Sequence, residues 1–142
     1  VGCFIWALRQ AHCWSFAKDE YVHLKSHKDF EPHMYLFCSM IKVAPSFDAV
    51  REIIGEIAAC NVKLNSYALF EMVKICKKHD DFDGVMEVRD LIKKHDFKPV
   101  TVVWIPMIEL VCKYDKKIAK ELLDELEPSV VSAHRRLDNV LE

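Results

Sequence analysis

The stretch SYALFEMVKICKKHDDFDGVMEVRDLIKKHDFKPV, residues 66–100, follows directly on EPHMYLFCSMIKVAPSFDAVREIIGEIAACNVKLN, residues 31–65. Each block is 35 residues long, and the two align without a gap. Phe47 falls on Phe82, Val50 on Val85, Ile53 on Val88, Ile57 on Ile92, Val62 on Phe97 and Lys63 on Lys98. The first four matched positions are apolar at three-and-four spacing, the signature of one face of a helix. A period of this length marks a repeat built from one supersecondary unit.

Within residues 66–100 the pattern predicts two helices. Helix A covers about residues 67–78, with Leu69, Phe70, Val73 and Cys76 on one side. Helix B covers about residues 82–94, with Phe82, Val85, Val88 and Ile92 on one side. Asp80-Asp81 stands between them, and one of the two carboxylates is expected to cap helix B. Lys93, Lys94 and His95 gather at its end, where positive charge suits the helix dipole. Ser46, after Pro45, is the matching cap in the block before. A third block starts at Thr101, where Met107-Ile108 aligns with Met72-Val73. Ala119, Leu122 and Leu126 align with Val85, Val88 and Ile92 once one residue is removed from the turn. Upstream, Lys28-Asp29-Phe30-Glu31-Pro32 echoes His95-Asp96-Phe97-Lys98-Pro99. Trp14, Ala17, Tyr21 and Leu24 form the stripe of an earlier helix, and Pro128-Ser129 opens a last one at 129–142.

The expected architecture is all-α: one helical-repeat domain over 1–142, with repeats at about 1–30 (partial), 31–65, 66–100 and 101–127. A single helix pair cannot bury its apolar stripe alone. Stacked pairs can, and they form an α-solenoid with a concave and a convex surface.

Composition agrees with a folded chain: 142 residues, 51% apolar, 30% charged and only three glycines. The net charge is −2, so attraction of the whole protein to nucleic acid is not expected and any phosphate contact must come from local basic patches. Cys3, Cys13, Cys38, Cys60, Cys76 and Cys112 include no Cys-x-x-Cys pair and read as reduced, buried thiols, with a disulfide framework as the lesser alternative. The longest apolar run, near residues 100–111, contains Pro106 and ends in charge, so no membrane span is expected. No Gly-rich phosphate loop, Gly-x-Ser-x-Gly elbow or convergent acid pair is visible, which argues against an enzyme and against a cofactor or small-molecule substrate. Glu20, His23 and His27 lie at helical spacing that could face one metal ion, but no Cys-x-x-Cys or His-Glu-x-x-His accompanies them, so no metal site is expected.

The 35-residue length, the Lys98-Pro99 tail and Met107, Ile108, Cys112 and Lys113 in helix A resemble pentatricopeptide repeats. The block MVKICKKHDDFDGVMEVRDLIKKHDFKPV carries the resemblance best, and about three repeats, from Glu31 to near Glu127, share it. Tetratricopeptide repeats are the near rival, but their Trp-x-x-Leu-Gly-x-x-Tyr pattern is absent. The resemblance implies a right-handed superhelix that binds single-stranded RNA in an organelle, one base per repeat. The family selects bases with the fifth and last residues of a repeat. Those positions fall here on Tyr35 with Asn65, on Phe70 with Val100, and on Ile105. Of these only Asn65 has the polar character the family uses. The resemblance therefore points to members that hold rRNA and neighbouring proteins by shape, as in the mitochondrial ribosome of the matrix. Lys42, Lys74, Lys77, Lys78 and Lys113, near the ends of successive A helices, are the expected phosphate contacts, and Tyr35, Tyr67 and Phe70 the expected stacking surfaces. The alternative is a tetratricopeptide-like adaptor that binds protein and no RNA.

Overall fold

The computed structural model describes residues 14–98 and 100–126. Among them are seven helices and no strand: α1 (Trp14–Lys25), α2 (Met34–Val43), α3 (Phe47–Ala59), α4 (Ser66–His79), α5 (Phe82–Lys94), α6 (Thr101–Cys112) and α7 (Lys116–Asp124). The helix expected at 129–142 lies outside the described residues, as do Cys3 and Cys13.

The sequence period reappears in the backbone. Helices α3 and α5 each run 13 residues and start 35 residues apart, at Phe47 and Phe82. Both end in the same hydrogen-bonded reversal. The Val62 amide donates to Ile57 C=O (3.1 Å) and the Asn61 amide to Ala58 C=O (3.1 Å). One repeat later the Phe97 amide donates to Ile92 C=O (3.0 Å) and the Asp96 amide to Lys93 C=O (3.2 Å). This six-to-one and five-to-two pairing is a Schellman ending, and it requires a left-handed residue after the helix. Asn61 at φ 53° and Asp96 at φ 52° supply it. Both have short polar side chains, the type that tolerates this conformation best after glycine.

The turn between A and B helices explains the single-residue shift of the third block. After α4, Asp80 is left-handed at φ 52°, and the Asp81 amide donates to Cys76 C=O at 2.9 Å. Asp81 then caps α5 by accepting from the Gly84 amide at 2.9 Å. After α6 the chain passes from Tyr114 directly to Asp115, which accepts from the Lys117 and Ile118 amides at 2.9 and 3.2 Å and so caps α7. The missing residue is the left-handed one. Ser46 takes the cap position of α3 as expected, but its side chain makes no capping hydrogen bond.

Contacts divide the chain into two compact units, the first reaching Ile75 and the second starting at Cys76. In the first unit α2 packs on both α1 and α3. Leu36, Phe37, Ile41, Phe47, Val50 and Ile53 form its centre, each at most 2% exposed. Of the expected α1 stripe, Ala17 and Tyr21 are buried, while Trp14 and Leu24 are half-buried. The Tyr21 ring sits 5.8 Å from Phe37 and 6.3 Å from Phe30. In the second unit α6 packs on α5 and α7. Val85, Val88, Trp104, Met107, Ala119 and Leu122 are at most 1% exposed. Pro106 lies inside α6. The carbonyl that loses its helical partner to a proline four residues on belongs to Val102, whose residue is 58% exposed.

Ion pairs between alternate helices recur as well. In the first unit Lys18 and Lys25 of α1 reach Glu52 and Glu56 of α3 at 3.3 and 2.8 Å. In the second, Arg89 of α5 reaches Glu125 of α7 at 2.9 Å and Glu121 at 3.8 Å. Glu121 and Glu125 occupy the repeat positions of Glu52 and Glu56. The exposed pairs of the first unit contribute roughly 0–1 kcal/mol each, whereas the Arg89 side chain is only 12% exposed.

Glu56 also accepts from the Tyr21 hydroxyl at 2.9 Å. The Lys25 ammonium first, and the Tyr21 hydroxyl second, hold its carboxyl below the ordinary value of 4.5. A depressed folded value means the stabilisation is present above the ordinary value and is lost as pH falls through the folded one. Glu56→Gln is therefore expected to lower the urea midpoint at pH 7, and its difference from the parent chain is expected to shrink as pH falls below 4.5 through the depressed folded value. At the helix endings, Asn61→Val and Asp96→Val should each cost about 1–2 kcal/mol in urea unfolding, and the glycine variants should not.

Candidate nucleic-acid interface

The residues expected to meet RNA divide between the two units. Tyr35, Lys42, Asn65, Phe70 and Lys74 belong to the first, and Lys77, Lys78 and Lys113 to the second. Each has a partner or an exposure that decides what it can offer a ligand.

Tyr35 is the second residue of α2 and is 65% exposed. Its ring stacks on His33 at 5.1 Å with the planes 9° apart. The imidazole is held there because His33 precedes α2 and its Nδ1 accepts from the Tyr35 amide at 3.3 Å. This flat, solvent-facing pair is suited to stacking against a base or another planar group. Sequence spacing offered Tyr35 and passed over His33. The signal for it was its place directly before the first turn of helix A.

Asn65 conforms best to the family pattern, yet its carbonyl oxygen has a local duty. Oδ1 accepts from the Ala68 amide at 2.8 Å, capping α4, and also from Cys38 Sγ at 3.8 Å. Cys38 is 3% exposed, and burial pushes its thiol up to about 11. It is therefore a protonated donor at neutral pH, as the reading of buried reduced thiols requires. Cys60, Cys76 and Cys112 are also free of disulfides.

Phe70, on α4, is half-buried. Its ring lies 6.5 Å from Tyr67, and Lys74 Nζ stands 5.2 Å from its centroid. The structure thus brings three of the singled-out side chains of α4 onto one surface: Tyr67, Phe70 and Lys74. Lys74 is also paired at 3.4 Å with Glu71, whose side chain is 4% exposed. Val100 precedes α6 and is 37% exposed, and Ile105 is half-buried on that helix. Neither carries a polar side-chain atom.

The lysines are less available than their sequence positions suggest. Lys77 is bound to Glu109 at 2.8 Å, and Lys113 to Asp80 at 3.4 Å. The Asp80 carboxyl is held below its ordinary value, first by the Tyr114 hydroxyl and then by the charge of Lys113. Lys42 and Lys78 are exposed and have no ion pair among the described residues. Lys42 and Lys77 are repeat equivalents, as are Lys78 and Lys113, so each equivalent pair contributes one bound and one unbound ammonium. The Lys74–Glu71 pair was visible as an i,i+3 spacing. The pairs to Glu109 and Asp80 span 32 and 33 residues, and only packing of one A helix on the next could reveal them.

No group of three or more His, Cys, Asp or Glu that could hold a metal forms among the described residues. No helix of the described residues is long and apolar enough to cross a membrane. Asn65→Ala is expected to cost about 1 kcal/mol in urea unfolding through loss of the cap, with or without nucleic acid. An unchanged midpoint would show that Oδ1 is free for a ligand instead. Compared with protein-family models and with curated protein sequences, the chain matches none.

Proposed function

We propose that the chain is a pentatricopeptide-like helical-repeat scaffold in an organellar RNA–protein assembly, most specifically a component of the mitochondrial ribosome in the matrix. In this reading the antiparallel pairs stack into a right-handed superhelix that holds rRNA and neighbouring proteins by shape. The observation that supports it is the 35-residue recurrence of helix boundaries together with the reversals at Asn61 and Asp96. A unit that repeats down to its hydrogen bonds is what a stacked array requires of each member. Recognition by shape suits Phe70, Val100 and Ile105, whose side chains cannot hydrogen-bond a base edge. No catalytic step, cofactor or small-molecule substrate enters the reading.

The second reading is a protein-binding adaptor without RNA contact. It draws on the pairing of Lys74, Lys77 and Lys113 with carboxylates, which leaves fewer ammonium groups for phosphate. Salt dependence separates the two. Each phosphate contact to single-stranded RNA contributes a slope of about −0.7 in the log–log plot of affinity against salt. Lys42 and Lys78 alone predict about −1.4, and all five lysines about −3.5. A flat response would remove the RNA half of the proposal. Affinity purification from intact organelles should recover rRNA with ribosomal proteins. Recovery of proteins alone would favour the adaptor, and recovery of neither would overturn the ribosomal assignment.

A further inference from the structure

His23 and His27 stand apart from every surface used above. His23 is in the last turn of α1, and His27 lies in the turn that follows. That turn is fixed by its own hydrogen bonds. The Ser26 hydroxyl donates to His23 C=O at 2.6 Å, the His27 amide to Leu24 C=O at 3.1 Å, and the Phe30 amide to His27 C=O at 3.2 Å. Both rings are exposed, they meet edge to face with centroids 4.9 Å apart, and their Nε2 atoms share a hydrogen bond at 3.4 Å in which the tautomer sets the donor.

That separation has a chemical meaning. Two imidazole nitrogens on one tetrahedral cation, each at about 2.0–2.1 Å, are about 3.3 Å from one another. The two nitrogens therefore already stand at the separation that a shared ion requires, and an ion would replace the proton between them. Its place at the carboxyl end of α1 helps, because the helix dipole favours positive charge there. The nearby charges are mixed: Glu20 and Asp29 are acidic, Lys28 is basic, and the Lys25 ammonium is drawn away to Glu56 at 2.8 Å. Glu20 does not complete the set, since no cluster of three such ligands forms among the described residues.

The geometry points to a two-histidine site for a divalent first-row cation such as Zn²⁺ or Ni²⁺, formed by His23 Nε2 and His27 Nε2 and completed by water. Imidazole suits these ions, and two protein ligands leave the remaining positions open. The site is weak and exchangeable by design of its ligand count, and it is independent of the RNA reading.

The test is calorimetric titration of the full chain with NiCl₂, its cysteines kept reduced, beside His23→Ala, His27→Ala and His95→Ala. Circular dichroism checks that each exposed-site variant keeps its helix content. One site per chain is expected in the parent and in His95→Ala, with no thiolate-to-nickel absorption band. Either of the other substitutions should weaken that site by more than about ten-fold, since loss of a mere outer partner of a metal ligand already costs about that much. Binding that survives His23→Ala or His27→Ala, binding accompanied by a thiolate band, or no binding at millimolar nickel would each overturn the assignment.

Discussion

The left-handed residue that ends each long B helix is the constraint on which the rest of this structure depends. At Asn61 and again at Asp96 the chain reverses within two residues and returns the amide of an apolar residue, Val62 or Phe97, to a carbonyl of the helix it has just left. Without that reversal the following A helix would not start at a fixed distance from the preceding B helix. The apolar faces of α3 and α5 would then lack a defined neighbour. The reversal is local, so it can recur wherever the sequence recurs, and it does so at the full repeat spacing. An array built in this way needs no long-range instruction for its connections, only a residue type that tolerates positive φ at the right place.

Around that frame the charged residues divide into two kinds. Between the alternate helices α1 and α3, and again between α5 and the end of α7, basic side chains meet carboxylates, and those carboxylates occupy equivalent repeat positions. On the A helices, lysines that could meet phosphate are partly consumed by Glu71, Glu109 and Asp80. The slightly negative net charge of the chain is thus reproduced locally, and the basic character left for a nucleic acid is small. A partner held by such a surface would be held by fit, with aromatic faces such as Tyr35 on His33 adding planar contact.

Legibility followed the range of the interaction. The bounds of α5 were readable because Asp81 is a carboxylate directly before an apolar face of Phe82, Val85, Val88 and Ile92. The same reasoning placed Ser46 before α3 but gave its hydroxyl a capping bond that it does not make, since occupying a cap position and orienting a rotamer are separate matters. Asn65 was read for its place in a repeat. Its engagement with the Ala68 amide is equally local, but it competes with the role that the resemblance suggested. The partners of Lys77 and Lys113 lie about one repeat away, where no short-range rule reaches.

The sequence by itself determined the helices among the described residues, their order, their period and most of the residues that face inward, because each rests on neighbours within a few positions along one chain. Tertiary structure alone decided which lysines remain unbound, that Tyr35 would stack on His33, and that two imidazole nitrogens would stop 3.4 Å apart. Those outcomes depend on distances and rotamers set by packing. Spacing in a sequence can make such a meeting possible, but only the folded chain fixes whether the two atoms arrive together.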